Sequence, residues 1–199
     1  RGISSKSWAD ISHPQSSHDH SAPTNTKCSL RSGPNGRKLM DKSEIRRSYK
    51  AIRREVKDRE NKERAIAEKL LSVIGEANSV FCYESLPGEV STADIIASIS
   101  EHADVYVPIV EGSGMKLYSR SKDVYTDKPC DITVVPLIAF DKDLNRIGFG
   151  GGYYDRYLAA HKTLAIGIAF DEQECEKFAV EATDIRPDMI ITPTRILRR

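Results

Sequence analysis

The sequence lacks the features that place a chain in a membrane or outside the cell. No apolar run approaches the ~20 residues that a membrane helix needs, and the first residues have no apolar centre typical of a secretory signal. The four cysteines, Cys28, Cys82, Cys130 and Cys175, are scattered and form no C-x-x-C pair. That spacing offers neither a zinc motif nor a redox pair. These absences predict a cytoplasmic protein with reduced thiols and without a membrane partner.

The chain also lacks an overall excess of charge of one sign. Its 30 Lys and Arg residues stand against 29 Asp and Glu residues, and residues 1–39 hold six of the basic residues but only two of the acidic ones. A nucleic-acid-binding domain is typically basic along a face or a helix. Because the excess here belongs to the N-terminal segment alone, the composition predicts no nucleic-acid partner.

Composition divides the chain at about Met40. Residues 1–39 are rich in Ser, Pro, His, Asn and Gly and show no apolar periodicity, so they cannot bury enough surface to offset the entropy of ordering. We expect a disordered N-terminal tail, either native or added, followed by a single domain over residues 40–199. A length of 199 residues fits one domain with a tail.

Helical and strand-like patterns alternate along residues 40–199. Ile45, Tyr49, Ile52 and Val56 recur at intervals of four, three and four, which predicts one apolar stripe on a helix. Two helices or one kinked helix would fit residues 40–75. A further predicted helix is capped by Ser91 or Thr92 and runs through Ile99, and another covers residues 153–160. Predicted strands cover residues 79–83, 104–108, 115–118, 131–140, 163–170 and 188–192. The alternation predicts a three-layer α/β/α fold with an open, largely parallel, Rossmann-like sheet.

A glycine loop interrupts this alternation between a predicted buried strand and a predicted helix. Gly148, Gly150, Gly151 and Gly152 lie within five residues, after Arg146 and before Asp155. Backbone N–H groups in such a loop, at a helix N-terminus, form a site for anions. The loop does not match the dinucleotide-binding pattern, which would need glycine at position 153. A simple tight turn is therefore the alternative. The flanking charges favour phosphate together with a divalent metal.

The residues from Phe140 to Arg156, with Arg146, the four glycines and the sequence Tyr-Tyr-Asp ending at Asp155, resemble the signature of 5-formyltetrahydrofolate cyclo-ligases, also called 5,10-methenyltetrahydrofolate synthetases. The resemblance extends from about residue 40 to about residue 192. It implies an enzyme that converts 5-formyltetrahydrofolate and ATP to 5,10-methenyltetrahydrofolate, ADP and phosphate. It also implies Mg²⁺ as a cofactor. The implied substrate is a small folate, with or without a polyglutamyl tail, and a monomer or weak dimer is expected.

The resemblance also implies roles for individual residues. Catalytic roles fall on Arg146, Tyr153 and Asp155. ATP contacts fall on Lys42, Arg46, Arg146, Gly148, Phe149, Gly150, Gly151, Gly152, Tyr153 and Tyr154. Contacts to the folate fall on Glu84, Glu89, Phe149, Gly150, Gly151, Gly152 and Tyr153, and the metal is expected at Asp155 and Asp184. From the residues alone, Lys42 and Arg46 are only four apart on one helix side. That spacing fits either a phosphate-binding pair or a solvated face.

Two departures from the family pattern bear on function. The segment from Ser119 to Cys130 is shorter than in many relatives, which leaves open how the glutamyl end of the folate is held. Some relatives also carry a lysine where this chain has Gly151. The alternative function is a non-catalytic nucleotide- or folate-binding protein that has kept the fold.

Overall fold

The computed structural model describes residues 40–112 and 114–199. The predicted N-terminal tail, residues 1–39, lies outside the described residues. The helices are α1 (Lys42–Arg54), α2 (Arg59–Ile74), α3 (Ala93–Ser100) and α4 (Tyr153–Ala160), with a 3₁₀ turn at Asp171–Gln173. The strands are β1 (Ser79–Phe81), β2 (Asp104–Glu111), β3 (Gly114–Ser119), β4 (Val124–Thr126), β5 (Ile132–Val135), β6 (Ala139–Phe140), β7 (Arg146–Ile147), β8 (Leu164–Ile168), β9 (Met189–Ile191) and β10 (Ile196–Arg198).

Eight strands form one sheet in the order β10-β9-β8-β5-β1-β2-β3-β4. The five central strands, from β9 to β2, are parallel, while β10 at one edge and β3 and β4 at the other are antiparallel. All four residues of β5 are buried, as expected of a strand covered on both faces. The predicted α/β fold with a largely parallel sheet is confirmed, and antiparallel edge strands are added to it.

The direction in which successive strands are added to the sheet reverses at its middle. The connection from β1 through α3 to β2 moves one way along the sheet, and the connection from β5 through α4 to β8 moves the other way. Because such crossovers are right-handed, α3 and α4 lie on opposite faces. Parallel α/β sheets bind ligands beyond the carboxyl ends of the strands at such a reversal. The loops that follow β1 and β5 therefore mark the expected position of a site.

The prediction of one strand over residues 131–140 is wrong in its extent. The main-sheet strand ends at Val135, because Pro136 cannot donate to the ladder. The chain then leaves the sheet, and β6 pairs with β7 in a separate two-stranded hairpin. Gln173 holds the chain in place where it leaves the sheet, since its side-chain amide donates to the carbonyl oxygens of Leu137 and Ile138, each at 3.0 Å.

Two helices cover residues 42–74, and the predicted stripe on the first of them needs correction. On α1 the inward positions are Ile45, Tyr49 and Arg53, whereas Ile52 is 37% exposed. Ile45, Tyr49 and Arg53 follow one another at intervals of four residues, so they lie on the same face of α1. The buried guanidinium of Arg53 is tolerated on this face because the carboxylate of Glu89 lies opposite it. On α2 the buried residues are Ile66, Leu70 and Ile74. Among the helices of residues 40–112 and 114–199, none has the length and apolarity needed to cross a bilayer.

Candidate active site

A short turn places Arg146 at the start of the site. The turn joins β6 to β7, and the buried carboxylate of Asp141 accepts the backbone N–H groups of Asp143 and Asn145, each at 3.0 Å. The side-chain amide of Asn145 also donates to this carboxylate at 2.8 Å. Leu144 has a left-handed backbone with φ of 62°, which is uncommon for a non-glycine residue. The direction of the hairpin therefore depends on the hydrogen bonds that the Asp141 carboxylate accepts.

The glycine loop, residues 148–152, runs from the end of β7 to the start of α4. Gly150 has φ of 105° and Gly152, at the N-cap of α4, has φ of 66°, values that side chains with a Cβ rarely adopt. Gly150 and Gly151 are exposed, and the other loop residues are half-buried. The N-terminus of α4 is the positive end of the helix dipole. The four glycines of the loop therefore expose backbone rather than side chains.

The loop forms one wall of a cleft with a volume of about 1220 Å³. The other walls come from the start of α1 and from residues 179–185. Of the predicted ATP and metal residues, those lining the cleft are Lys42, Arg46, Arg146, Gly148, Phe149, Gly150, Gly151, Gly152, Tyr153, Tyr154, Asp155 and Asp184. The fold thus brings together residues that are more than a hundred positions apart in the sequence.

Arg146 and Asp155 form an ion pair at the base of the cleft. The Nη2 atom of Arg146 lies 2.7 Å from Oδ1 of Asp155, and the same oxygen accepts the backbone N–H of Ile185 at 3.1 Å. Only 4% of the Arg146 side chain is exposed. Burial lowers the pKa of Arg146 and the charge of Asp155 opposes that shift, but arginine keeps its charge in proteins.

Lys42 and Asp184 form a second pair across the cleft. The Nζ atom of Lys42 lies 2.6 Å from Oδ2 of Asp184 and 3.7 Å from Oε2 of the exposed Glu181. Asp184 also accepts the backbone N–H of Glu181 at 2.7 Å. Glu181 was not predicted, because a glutamate in a polar segment carries no signal of its own.

Arg46 and Phe149 link the glycine loop to α1. The Nε atom of Arg46 donates to the carbonyl oxygen of Gly148 at 2.9 Å, so Lys42 and Arg46 do face the same cleft. The Phe149 ring lies under two cations of α1, with Nζ of Lys50 at 5.3 Å and Cζ of Arg53 at 5.1 Å from its centroid. These contacts hold the loop against α1.

The two adjacent tyrosines point in different directions. Tyr153 donates its hydroxyl to the carbonyl oxygen of Gly112 at 3.2 Å, and the guanidinium of Arg156 lies 4.9 Å from its ring. Tyr154 is buried, with its ring stacked on Phe81 at a centroid distance of 5.5 Å. The predicted contact of Tyr154 with ATP can therefore involve only the Tyr154 backbone, because the Tyr154 ring belongs to the main core.

The predicted folate residues Glu84 and Glu89 lie apart from the residues that line the cleft. Glu84 pairs with Arg120 at 2.8 Å. Glu89 is buried, accepts the backbone N–H of Leu86 at 2.7 Å and lies 3.5 Å from Nη1 of Arg53. The sequence analysis did not single out Arg53, and its four-residue spacing from Ile45 and Tyr49 is the signal that it faces inward. The structure does not bring these two glutamates into the cleft lined by the glycine loop.

The donor set of the cleft fits a metal-bound polyphosphate. Asp155 and Asp184 supply carboxylate oxygens, and Mg²⁺ takes one or two protein carboxylates together with phosphate oxygens and water. Within residues 40–112 and 114–199 no group of three or more His, Cys, Asp and Glu side chains is placed to hold a metal by itself. The buried Nε atom of Arg146 has no hydrogen-bond partner among the described residues, so a donor remains for a phosphate oxygen.

The chain is similar to proteins of one known family. A family model described as the 5-formyltetrahydrofolate cyclo-ligase family matches residues 116–193. The chain is 31% identical over 163 residues to a 5-formyltetrahydrofolate cyclo-ligase of Mycoplasma genitalium, covering 77% of this chain and 98% of that protein. It is 30% identical over 146 residues to the protein of that name from Escherichia coli K12, covering 60% of this chain and 80% of the relative.

Solved structures give the same result. A 5,10-methenyltetrahydrofolate synthetase from Mycoplasma pneumoniae matches with a TM-score of 0.70 and 25% identity over 77% of this chain and 99% of that one. The Aquifex aeolicus 5,10-methenyltetrahydrofolate synthetase matches with a TM-score of 0.68 and 27% identity, over 80% and 93% of the two chains.

Proposed function

Because this chain belongs to the 5-formyltetrahydrofolate cyclo-ligase family, we propose that it uses ATP and Mg²⁺ to cyclise 5-formyltetrahydrofolate. The products are 5,10-methenyltetrahydrofolate, ADP and phosphate. One observation carries the proposal: an accessible glycine loop lines a cleft that also holds the Arg146–Asp155 and Lys42–Asp184 pairs. Cations, backbone donors and carboxylates in one cleft match a polyphosphate with its metal.

The proposed reaction has two steps, each of which needs positioning more than an enzyme nucleophile. The formyl oxygen forms a bond to the γ-phosphorus as the bond to ADP breaks, and the formyl group becomes a good electrophile. The substrate amine N10 then attacks the formyl carbon and loses its proton, and the C–O bond breaks to release phosphate. Phosphoryl transfer is catalysed mainly by alignment and by stabilisation of charge.

The residues of the cleft supply that stabilisation. Arg146, held by Asp155 at 2.7 Å, is a fixed guanidinium with a remaining Nε donor. The loop amides and the first turn of α4 add donors that need no reorganisation. Lys42 and Arg46 add two cations on the α1 side. A Mg²⁺ ion held by Asp155 and Asp184 would take phosphate oxygens as further ligands and neutralise their charge.

The folate is expected on the other side of the loop. Phe149 and Tyr153 border the loop glycines, and Arg53 joins the Phe149 ring to Glu89. The order of these residues extends from the phosphate cleft toward the loop that follows β1. We therefore assign the pterin ring to the surface of the loop beside Phe149 and Tyr153, in agreement with the position of the sheet reversal. The buried Arg53 and Glu89 would support Phe149 from behind.

The test is an absorbance assay for the methenyl product. The chromophore should appear only when 5-formyltetrahydrofolate, ATP and Mg²⁺ are all present. Asp155→Asn should abolish turnover and still fold, with a lower unfolding temperature because the buried Arg146 loses its charged partner. Asp123→Asn, outside the cleft, should retain activity. Mg²⁺-dependent activity in the Asp155→Asn variant would show that Asp155 is not a ligand of the metal. Binding of ATP and folate without any product would instead favour the non-catalytic alternative.

A further inference from the structure

Each proposed metal ligand is already paired with a proposed phosphate ligand. Asp184 lies 2.6 Å from Lys42, and Asp155 lies 2.7 Å from Arg146. The same oxygen atoms accept backbone N–H groups, from Glu181 to Asp184 and from Ile185 to Asp155. The four charged side chains therefore neutralise one another within the walls of the cleft.

These pairs are shielded from solvent. The exposed fractions are 15% for Lys42 and 22% for Asp184, and 4% for Arg146 and 24% for Asp155. Pairs with this little exposure are screened less by salt than surface pairs are. Removing the partner of such a charge leaves it incompletely compensated, which is costly when the charge is buried. A ligand that binds only one member of each pair leaves the other charge without its partner, and this cost lowers the affinity of the ligand.

We propose that the Lys42–Asp184 and Arg146–Asp155 pairs make the cleft selective for the metal complex of a nucleoside triphosphate over the metal-free nucleotide. This inference rests on the proposed function. A metal-free triphosphate would draw Lys42 and Arg146 to itself and leave two carboxylates facing its own negative charge. A divalent cation alone would leave two unpaired cations beside it. When both arrive, the phosphates take the cations and the metal takes the carboxylates, so every charge keeps a partner.

The consequence is a positive coupling between metal and nucleotide that belongs to the protein. Such coupling is reciprocal and typically changes affinity by about 5- to 150-fold. The usual expectation for a metal-ligand substitution is weaker binding throughout. Here Asp184→Asn should bind metal-free ATP more tightly than the wild type, because Lys42 is released and one repulsive charge is lost.

The experiment is calorimetric titration of the full chain with ATP, either with Mg²⁺ or with EDTA, without folate and at constant ionic strength. We expect the wild type to bind ATP at least about tenfold more tightly with Mg²⁺. Asp184→Asn should gain about three- to tenfold in affinity for metal-free ATP and lose most of the Mg²⁺ effect. Asp155→Asn tests the second pair in the same way, and folding of each variant is checked by thermal unfolding.

Glu181→Gln is the matched control. Glu181 lies 3.7 Å from Lys42, but 72% of its side chain is exposed, so its removal should change metal-free affinity by less than about twofold. If both Asp variants bind metal-free ATP no better than the wild type while Mg²⁺-ATP still binds to the wild type, the inference is wrong and the proposed function stands. Absence of ATP binding with and without Mg²⁺ would overturn both.

Discussion

The buried pair between Arg53 and Glu89 permits a quantitative prediction. Their side chains are 5% and 2% exposed, and Nη1 of Arg53 lies 3.5 Å from Oε1 of Glu89. At an effective dielectric constant of 20, two charges at that separation attract by about 5 kcal/mol. Breaking a buried pair by removing one partner costs about 3–5 kcal/mol. We therefore expect Arg53→Met to lower the free energy of unfolding by about 3–5 kcal/mol in urea titrations.

A double-mutant cycle separates the pair from the packing of the Arg53 stem. In the double variant with Glu89→Gln the remaining charge is gone, so it should be about 1–3 kcal/mol more stable than the sum of the single losses predicts. Glutamine keeps an acceptor for the backbone N–H of Leu86. The control is Lys116→Met, which breaks an exposed pair with Glu111 and should cost at most about 1 kcal/mol. Strict additivity, or a loss below about 1 kcal/mol for Arg53→Met, would refute the reasoning.

The pH dependence gives an independent check of the same pair. Burial raises the pKa of Glu89 above its ordinary value of 4.5, while the N–H of Leu86 and the charge of Arg53 oppose the shift. A carboxyl group with a raised folded pKa makes the native state less stable as pH rises from the unfolded to the folded pKa. Arg53→Met removes a stabilising charge and raises that pKa further. The stability difference between variant and wild type should thus be smaller at pH 5 than at pH 8.

Three further predictions concern the site and the N-terminal segment. Gly150→Ala places a Cβ on a backbone with φ of 105°, so it should cost about 1–3 kcal/mol in urea unfolding and reduce ATP affinity, whereas Gly114→Ala, without positive φ, should have little effect. Asp141→Ala leaves buried donors without an acceptor; we expect a loss of about 1–3 kcal/mol and a fall in kcat, because the turn positions Arg146. Deletion of residues 1–39 should leave kcat and KM unchanged, and a large loss in steady-state assays would place that segment in the site.

Local patterns predicted the centre of the molecule well. The predicted helix over residues 153–160 coincides with α4, because its tyrosines recur at helical spacing directly after the glycines. The buried strands were visible as apolar, β-branched runs. The edge strands β4 and β10 were missed, since short exposed antiparallel strands with mixed side chains carry almost no periodic signal.

The candidate site was predictable in its composition but not in its pairings. The glycine loop and Arg146 stand out locally, and the family resemblance supplied Lys42 and Asp184. No local pattern indicates that these two side chains meet, because 142 residues separate them. The pairing of Arg53 could not be predicted from the sequence either, since an arginine faces inward only where the fold brings it a partner such as Glu89.

The 142-residue span between Lys42 and Asp184 also bears on how the protein is made. Translation delivers Lys42 142 residues before Asp184, so α1 must wait for the whole intervening segment before that contact can form. Contacts of such long range close slowly and late. A chain that ends between the glycine loop and Asp184 would carry the loop but not the finished cleft, and nucleotide binding would then report that synthesis has passed residue 184.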